Sequence, residues 1–293
     1  MTATHVLERL GFEPDATVAV VHADDVGMCH ATNVGAFEAL AGGPATCGSL
    51  MVPCPWFAEA AAWATDGREV DLGVHLTLNA EWADYRWGPV AGRTAVPSLV
   101  DERGHLFRTT AETVRNASVE DVATELRAQV DAAIESGVDV THLDSHMGTV
   151  LHPKFVGVYL ALAREYRLPL FFPRVVNGVE LDPATASVRD QIVAELERDG
   201  FPVFDGYDAD SLGFGVGTGR AHNERRIGGL ESGLNYLICH PACDGEELRA
   251  ATDTPHQRDF ERRFYGSADG DEALAGAGVQ TIGMRALRDL VRS

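Results

Sequence analysis

Four short stretches place carboxylates or imidazoles where apolar runs end. The first is His22-Ala23-Asp24-Asp25-Val26-Gly27, directly after the β-branched run Thr17–Val21. Two adjacent carboxylates at the end of a buried strand are costly unless they meet a cation, a proton or a hydrogen-bonding partner. A helix cap with one solvated Asp is the plainer alternative. The second is Gly73-Val74-His75-Leu76-Thr77, where strand periodicity sets Gly73, His75 and Thr77 on one face. A lone strand histidine there reads equally as a satisfied core residue. The third is Thr141-His142-Leu143-Asp144-Ser145-His146-Met147-Gly148, with His142, Asp144 and His146 at period two. Three ionisable groups on one strand face are hard to explain by packing. Imidazole and carboxylate together are typical ligands and supporting partners of a divalent metal. The fourth is Tyr236-Leu237-Ile238-Cys239-His240-Pro241, a histidine at a strand end whose turn is fixed by proline. Strand ends of a parallel sheet converge on one mouth. Jointly these residues could hold a divalent ion, leave positions open for water and substrate, and supply a base and an acid.

The elements that must position them follow from hydrophobic periodicity. Strands are expected at Thr17–Val21, Thr46–Val52, Val70–Leu78, Val138–Leu143, Leu168–Phe172, Leu234–Cys239 and Val279–Ile282. Helical spacing is expected over Ala31–Ala41, Trp56–Ala64, Val119–Ile134 (capped by Ser118), Phe155–Tyr166, Val188–Arg198, Thr254–Tyr265 and Met284–Val291. Strand-then-helix repetition means an α/β fold with parallel strands and outer helices. A (β/α) barrel-like fold, complete or distorted, fits the length, and an open doubly wound sheet is the competitor. The reading is one domain over 1–293, with long loops near 79–117 and 204–233, the second rich in glycine. Loops of such length in a compact domain are usually functional.

Composition removes whole classes of function. With 44 acidic and 24 basic residues the net charge is −20 over 293 residues. Phosphate backbones and anionic membranes favour basic surfaces, so neither nucleic acid nor membrane is expected as a partner. No apolar run approaches the roughly 20 residues of a membrane span. The first residues lack a basic segment followed by an apolar one, so no leader is expected and the cytoplasm is the default location. The five cysteines form no CxxC pair and read as small buried thiols. Most carboxylates, such as Glu120, Asp121, Glu125, Asp131 and Glu135, are expected on solvated helix faces. His222 reads as a solvated loop residue. Trp82, Tyr85 and Trp87 would form either a sugar-stacking surface or a small loop core.

Taken in order, ADDVG followed by Asn33, GVHLTL, THLDSH and ICHPA resemble the YdjC-like carbohydrate deacetylase family, a distant relative of the polysaccharide deacetylases. The resemblance runs from about Val18 to the end of the chain, and Arg174 and the run Gln257–Glu261 are similar to family features. It implies a β/α barrel-like fold and metal-dependent removal of acetyl from N-acetylated sugars, giving acetate and an amino sugar. Carried over by position, Asp25, His75 and His146 would be the metal ligands, Asp24 the catalytic base and His240 the acid, with Arg174 orienting Asp24 or substrate. One divalent ion is implied, magnesium or zinc, and the ligand set also accepts cobalt or manganese. Three positions depart from the family pattern. Val26 stands where Phe is usual, Gly148 where a second histidine often follows, and Ala242 where the motif often has glycine. The latter two are expected to reshape the pocket. Two alternatives stay open, a non-catalytic sugar-binding barrel and another metal-dependent hydrolase such as a phosphoesterase. A homodimer is the default assembly.

Overall fold

A computed structural model describes residues 3–175 and 182–293. The described residues form seven strands: β1 (Thr17–Val26), β2 (Cys47–Leu50), β3 (Leu72–Leu76), β4 (Val140–Ser145), β5 (Gly206–Asp208), β6 (Gly233–Cys239) and β7 (Gln280–Thr281). All pairings between them are parallel, in the order β4-β3-β2-β1-β6-β5, with β7 beside the start of β1. Single parallel bridges, Leu143 with Leu170 and Pro173 with Phe204, carry the hydrogen bonding from β4 round to β5. The ring therefore closes as a (β/α) barrel, but thinly on that side. Residues 168–172, expected to be a full strand, contribute only a bridge.

β1 shows why both faces of each strand are apolar. Val18 and Val20 point into the barrel, where Phe171, Phe204, Leu234 and Tyr236 meet them. The helices Ala3–Arg9 and Met284–Arg292 close this lower end with Val6, Leu7, Met284 and Leu287. Ala19, Val21 and Ala23 point outward into the larger core beneath the outer helices. Strands covered on both sides read as continuous apolar runs, as Thr17–Val21 does.

The long stretches contain more structure than expected. The first holds a helix at Thr110–Asn116, where Thr109 and Glu112 form a reciprocal cap. The second holds β5 and the helix Gly219–Gly228. Its glycines masked the helical period, because each lowers helix propensity by about 1 kcal/mol. The acidic helix face also does more than meet solvent. Glu125 is fully buried and accepts hydrogen bonds from the backbone of Val90 and Ala91, both 2.9 Å, and Asp121 accepts from Ser98. These carboxylates pin the first long stretch to the helix Val119–Glu135.

The helix His30–Gly42 fixes the turn after β6. A Cβ built on Gly35 would lie 2.5 Å from the Ala242 Cα, and Cys243 donates its N–H to the Ala31 carbonyl at 2.9 Å. Ala242 is wholly buried against this helix. Gly35→Ala is therefore expected to destabilise the protein by about 1–3 kcal/mol through overpacking. Urea unfolding measures it, and an unchanged midpoint would contradict this packing.

Candidate active site

Adjacent strand residues normally point to opposite faces, yet Asp24 and Asp25 reach the same mouth. The cause lies in the backbone. The β1–β2 register breaks between Ala23 and Val26, and Asp25 sits at φ 64°, in the left-handed region. Such a conformation costs about 1–3 kcal/mol in a non-glycine residue and concentrates at functional sites. The turn that follows is held by Asn33, whose Oδ1 accepts the Gly27 N–H at 2.7 Å and whose Nδ2 donates to Glu59 at 2.9 Å.

Asp25, His75 and His146 converge, with one potential ligand atom from each lying within 4.8 Å of the others. Asp25 Oδ1 is 3.7 Å from His75 Nε2 and 3.5 Å from His146 Nδ1. The remaining polar atom of every member is already held. Arg258 Nη1 donates to Asp25 Oδ2 at 2.8 Å, His75 Nδ1 bonds Asp144 Oδ1 at 2.9 Å, and His146 Nε2 bonds Glu81 Oε2 at 2.9 Å. Among the described residues, Asp25 Oδ1 is one of two buried side-chain polar atoms with no hydrogen-bond partner. An orphaned carboxylate oxygen facing two imidazole nitrogens, each braced from behind, is a donor set that fits a divalent cation. Two further clusters, His22 with Cys47 and His142, and His22 with Asp24 and Asp144, also bring such atoms together. Their nitrogens are occupied by mutual hydrogen bonds, and burial pushes the Cys47 thiol well up, so they suit a cation less well.

The charges follow the same geometry. Burial raises the Asp25 pKa, but Arg258 first, then His146 and His240, outweigh it and hold the carboxyl well below its usual range. Burial also opposes protonation of His75 and His146. Asp144 and Asp24 reverse that for His75, while Glu81 and Asp25 carry His146 up to about 10. Asp144 accepts from Ser49 at 3.0 Å, and His75 and His22 keep it ionised against its burial.

Asp24 lies alongside. Its Oδ1 is 2.5 Å from His22 Nδ1, while its Oδ2 faces His75 Nε2 at 3.8 Å and His240 Nε2 at 3.7 Å. His240 continues the inward face of β6. Ser211 Oγ donates to Glu261 Oε2 at 2.6 Å, so it accepts from His240 Nδ1 at 2.9 Å. That fixes the tautomer and leaves the Nε2 lone pair facing Asp24. Burial lowers the His240 pKa to about 4, against the pull of Asp25 and Asp24.

Five of the six residues singled out in the sequence therefore meet at one mouth. The sixth, Arg174, does not join them. Its guanidinium is engaged by Glu197 at 2.8 Å and Asp205 at 3.2 Å, outside the cluster, and Arg258 supplies the guanidinium at the aspartates instead. His146 lies beyond β4 rather than on its face, in a 3-10 turn followed by left-handed Met147 and Gly148. Glu81 and Ser211 were not foreseen, for both come from loops, and Glu261, in the run Gln257–Glu261 singled out above, carries no role in the sequence reading. His222 is buried rather than solvated, with Nε2 on the Asp210 carbonyl at 2.5 Å. The aromatic trio forms a loop core. Trp87 is buried and donates to the Asn79 carbonyl at 2.9 Å, Tyr85 donates to the Met28 carbonyl, and Trp82 packs 5.6 Å from Trp87.

The model of the YdjC-like protein family matches residues 18–275. A Thermus thermophilus protein named carbohydrate deacetylase is 37% identical over 253 residues, covering 85% of this chain and 86% of its own. Another so named, from Thermoanaerobacter pseudethanolicus, is 27% identical, covering 85% of this chain and 91% of its own. A crystal structure from Enterococcus faecalis, of a protein named for cellobiose-phosphate cleavage, superposes with a TM-score of 0.75 at 26% identity. It covers 93% of this chain and 99% of its own.

A metal-ligating imidazole must be neutral, so a cation bound here displaces the His146 proton. Metal affinity is expected to weaken about tenfold for each pH unit lowered beneath the His146 pKa of about 10. Calorimetric titration of zinc at pH 8 in two buffers of different ionisation enthalpy should register proton release, reduced in Glu81→Gln. Binding without proton release would remove His146 from the ligand set.

Proposed function

The chain belongs to the YdjC-like protein family, and on that premise we propose that it is a metal-dependent hydrolase removing acetyl from an N-acetylated sugar or oligosaccharide. The carrying observation is the unpartnered, buried Asp25 Oδ1 facing His75 and His146, with Asp24 Oδ2 beside it. Asp25, His75 and His146 would hold one divalent ion, magnesium or zinc. Such an ion supplies Lewis-acid polarisation of a carbonyl oxygen and lowers the pKa of water.

The protein's own groups then divide the proton work. Asp24 is the base. His22 occupies its Oδ1, leaving Oδ2 to take a proton from the attacking water. The water oxygen bonds the acetyl carbon and the carbon–nitrogen bond breaks. His240 is neutral at pH 7 in its resting form, so the proton it donates must be collected during the reaction. Its Nε2 faces Asp24 Oδ2, the group that takes that proton. His240 then delivers it to the departing amine, while the Nδ1–H bond to Ser211 holds the ring in place. Products are acetate and an amino sugar, and the acidic surface does not oppose a substrate that leaves as a cation.

No helix among the described residues is long and apolar enough to cross a membrane. A phosphoesterase reading is weaker, because Arg258, the guanidinium that reaches the cluster, is engaged by Asp25.

Acetate release from N-acetylglucosamine oligomers, with and without chelator, tests the proposal. Chelator is expected to abolish release. Asp24→Asn is expected to keep its metal while losing about 10²–10⁴ in kcat. Activity retained in that variant would remove Asp24 as base. Phosphate released from phosphorylated disaccharides without any acetate release would overturn the deacetylase assignment.

A further inference from the structure

The carboxylate of Glu261 is fully buried, yet it takes no part in the proton steps above. It stands on the helix Pro255–Tyr265, three residues after Arg258, so one helix face presents a guanidinium to Asp25 and a carboxylate to His240. Its Oε2 accepts the His240 backbone N–H at 2.7 Å and the Ser211 hydroxyl at 2.6 Å. Its Oε1 accepts from Arg226 Nη1 at 3.2 Å. Ser211 and Arg226 both belong to the second long stretch, in the loop after β5 and on the helix Gly219–Gly228. All three neighbours donate, which suits an ionised carboxylate.

We propose that Glu261 is a positioning residue for His240, seating its backbone directly and setting the direction of the Ser211 hydroxyl that meets its ring. The inference rests on the reading of His240 as acid. A serine hydroxyl can donate or accept. Facing His240 Nδ1 at 2.9 Å, it accepts only while another group takes its proton. Among the described residues, Glu261 is the only other partner it has. Without that carboxylate the hydroxyl would turn to Nδ1, and the ring proton would move to Nε2. An Nε2–H would then face Asp24 Oδ2, the atom from which His240 must collect its proton.

A purely architectural role leaves Oε2 unexplained. Arg226 already ties β5, β6 and its own helix together, through Asp208 at 2.6 Å, the Ile238 carbonyl at 2.6 Å and Asn223 at 2.8 Å. A buried carboxylate is costly even when paired, and that junction does not need a further one. Both contacts of Oε2 act instead on one histidine, on its main chain and, through Ser211, on its ring.

Ring-nitrogen NMR of histidine-labelled, zinc-saturated protein near pH 8.5 tests the role without substrate, so a failed acetate assay and a failed positioning role are told apart. That pH lies above the value of about 7 to which burial lifts Glu261 against Arg226. His240→Gln supplies the assignment. Wild-type His240 is expected to show a protonated Nδ1 and a bare Nε2. Glu261→Met is expected to reverse the two and to move the His240 backbone amide. Ser211→Ala is expected to give a tautomer mixture, and the double variant to match it. With N-acetylglucosamine oligomers, Glu261→Met is expected to lower kcat about tenfold or more while KM and zinc affinity hold. A wild-type ring protonated at Nε2, a folded Glu261→Met with wild-type ring and amide shifts, or reversal without loss of kcat in an active enzyme would overturn the proposal. If Glu261→Met does not fold, the wild-type and Ser211→Ala spectra decide, and wild-type ring shifts in Ser211→Ala would overturn it.

Discussion

The structure turns on the pairing of Arg258 with Asp25. A carboxylate buried at a barrel mouth has lost its hydration, and ionisation there must be supported by fixed charge. The guanidinium comes from a helix 233 residues downstream and binds one oxygen, so the other is left for the two imidazoles. Around it the same device repeats. His75 is braced by Asp144, His146 by Glu81, Asp24 by His22 and His240 by Ser211. Each group meets the mouth with one free atom while a second partner holds it in orientation, as preorganised sites require.

That arrangement explains the strain at Asp25. A regular strand would send one carboxylate of the pair into the helix layer, where Ala23 and Val26 pack. The break in register turns both to the mouth, at the cost of a left-handed residue. Asp tolerates this conformation better than most residues because it is short and polar. The next residues are fixed in turn by Asn33, so the irregularity is locked from the helix that follows it.

Much of this was legible in the sequence because strands report their own ends. Apolar runs finishing in Asp or His located Asp24, Asp25, His75 and His240, and the helical stretches that flank them had clear periods. Other parts were illegible for physical reasons. Glu81 and Ser211 act through contacts made only when remote segments fold together, and the run Gln257–Glu261, though similar to family features, does not by itself reveal that Arg258 meets Asp25 or that Glu261 meets Ser211. Arg174 follows an apolar run just as Asp24 and His240 do, yet the barrel closes thinly there and Glu197 and Asp205 claim its charge. Glu125 follows the acidic pattern of an exposed face, but a long loop docks on it and removes its solvent.

The polar interior is best understood as the continuation of the mouth rather than as an exception to the core. Val18, Val20 and Leu234 show that the barrel can be filled with aliphatic side chains, and at its lower end it is. Replacing buried polar networks by apolar residues is often neutral or stabilising. The layer of His22, His142 and Thr141, seated over Gly73, therefore has no evident stability rationale. It does have a directional one. Imidazole, alone among side chains, bonds at both ends and couples the two, so what one ring nitrogen meets decides what the other can offer.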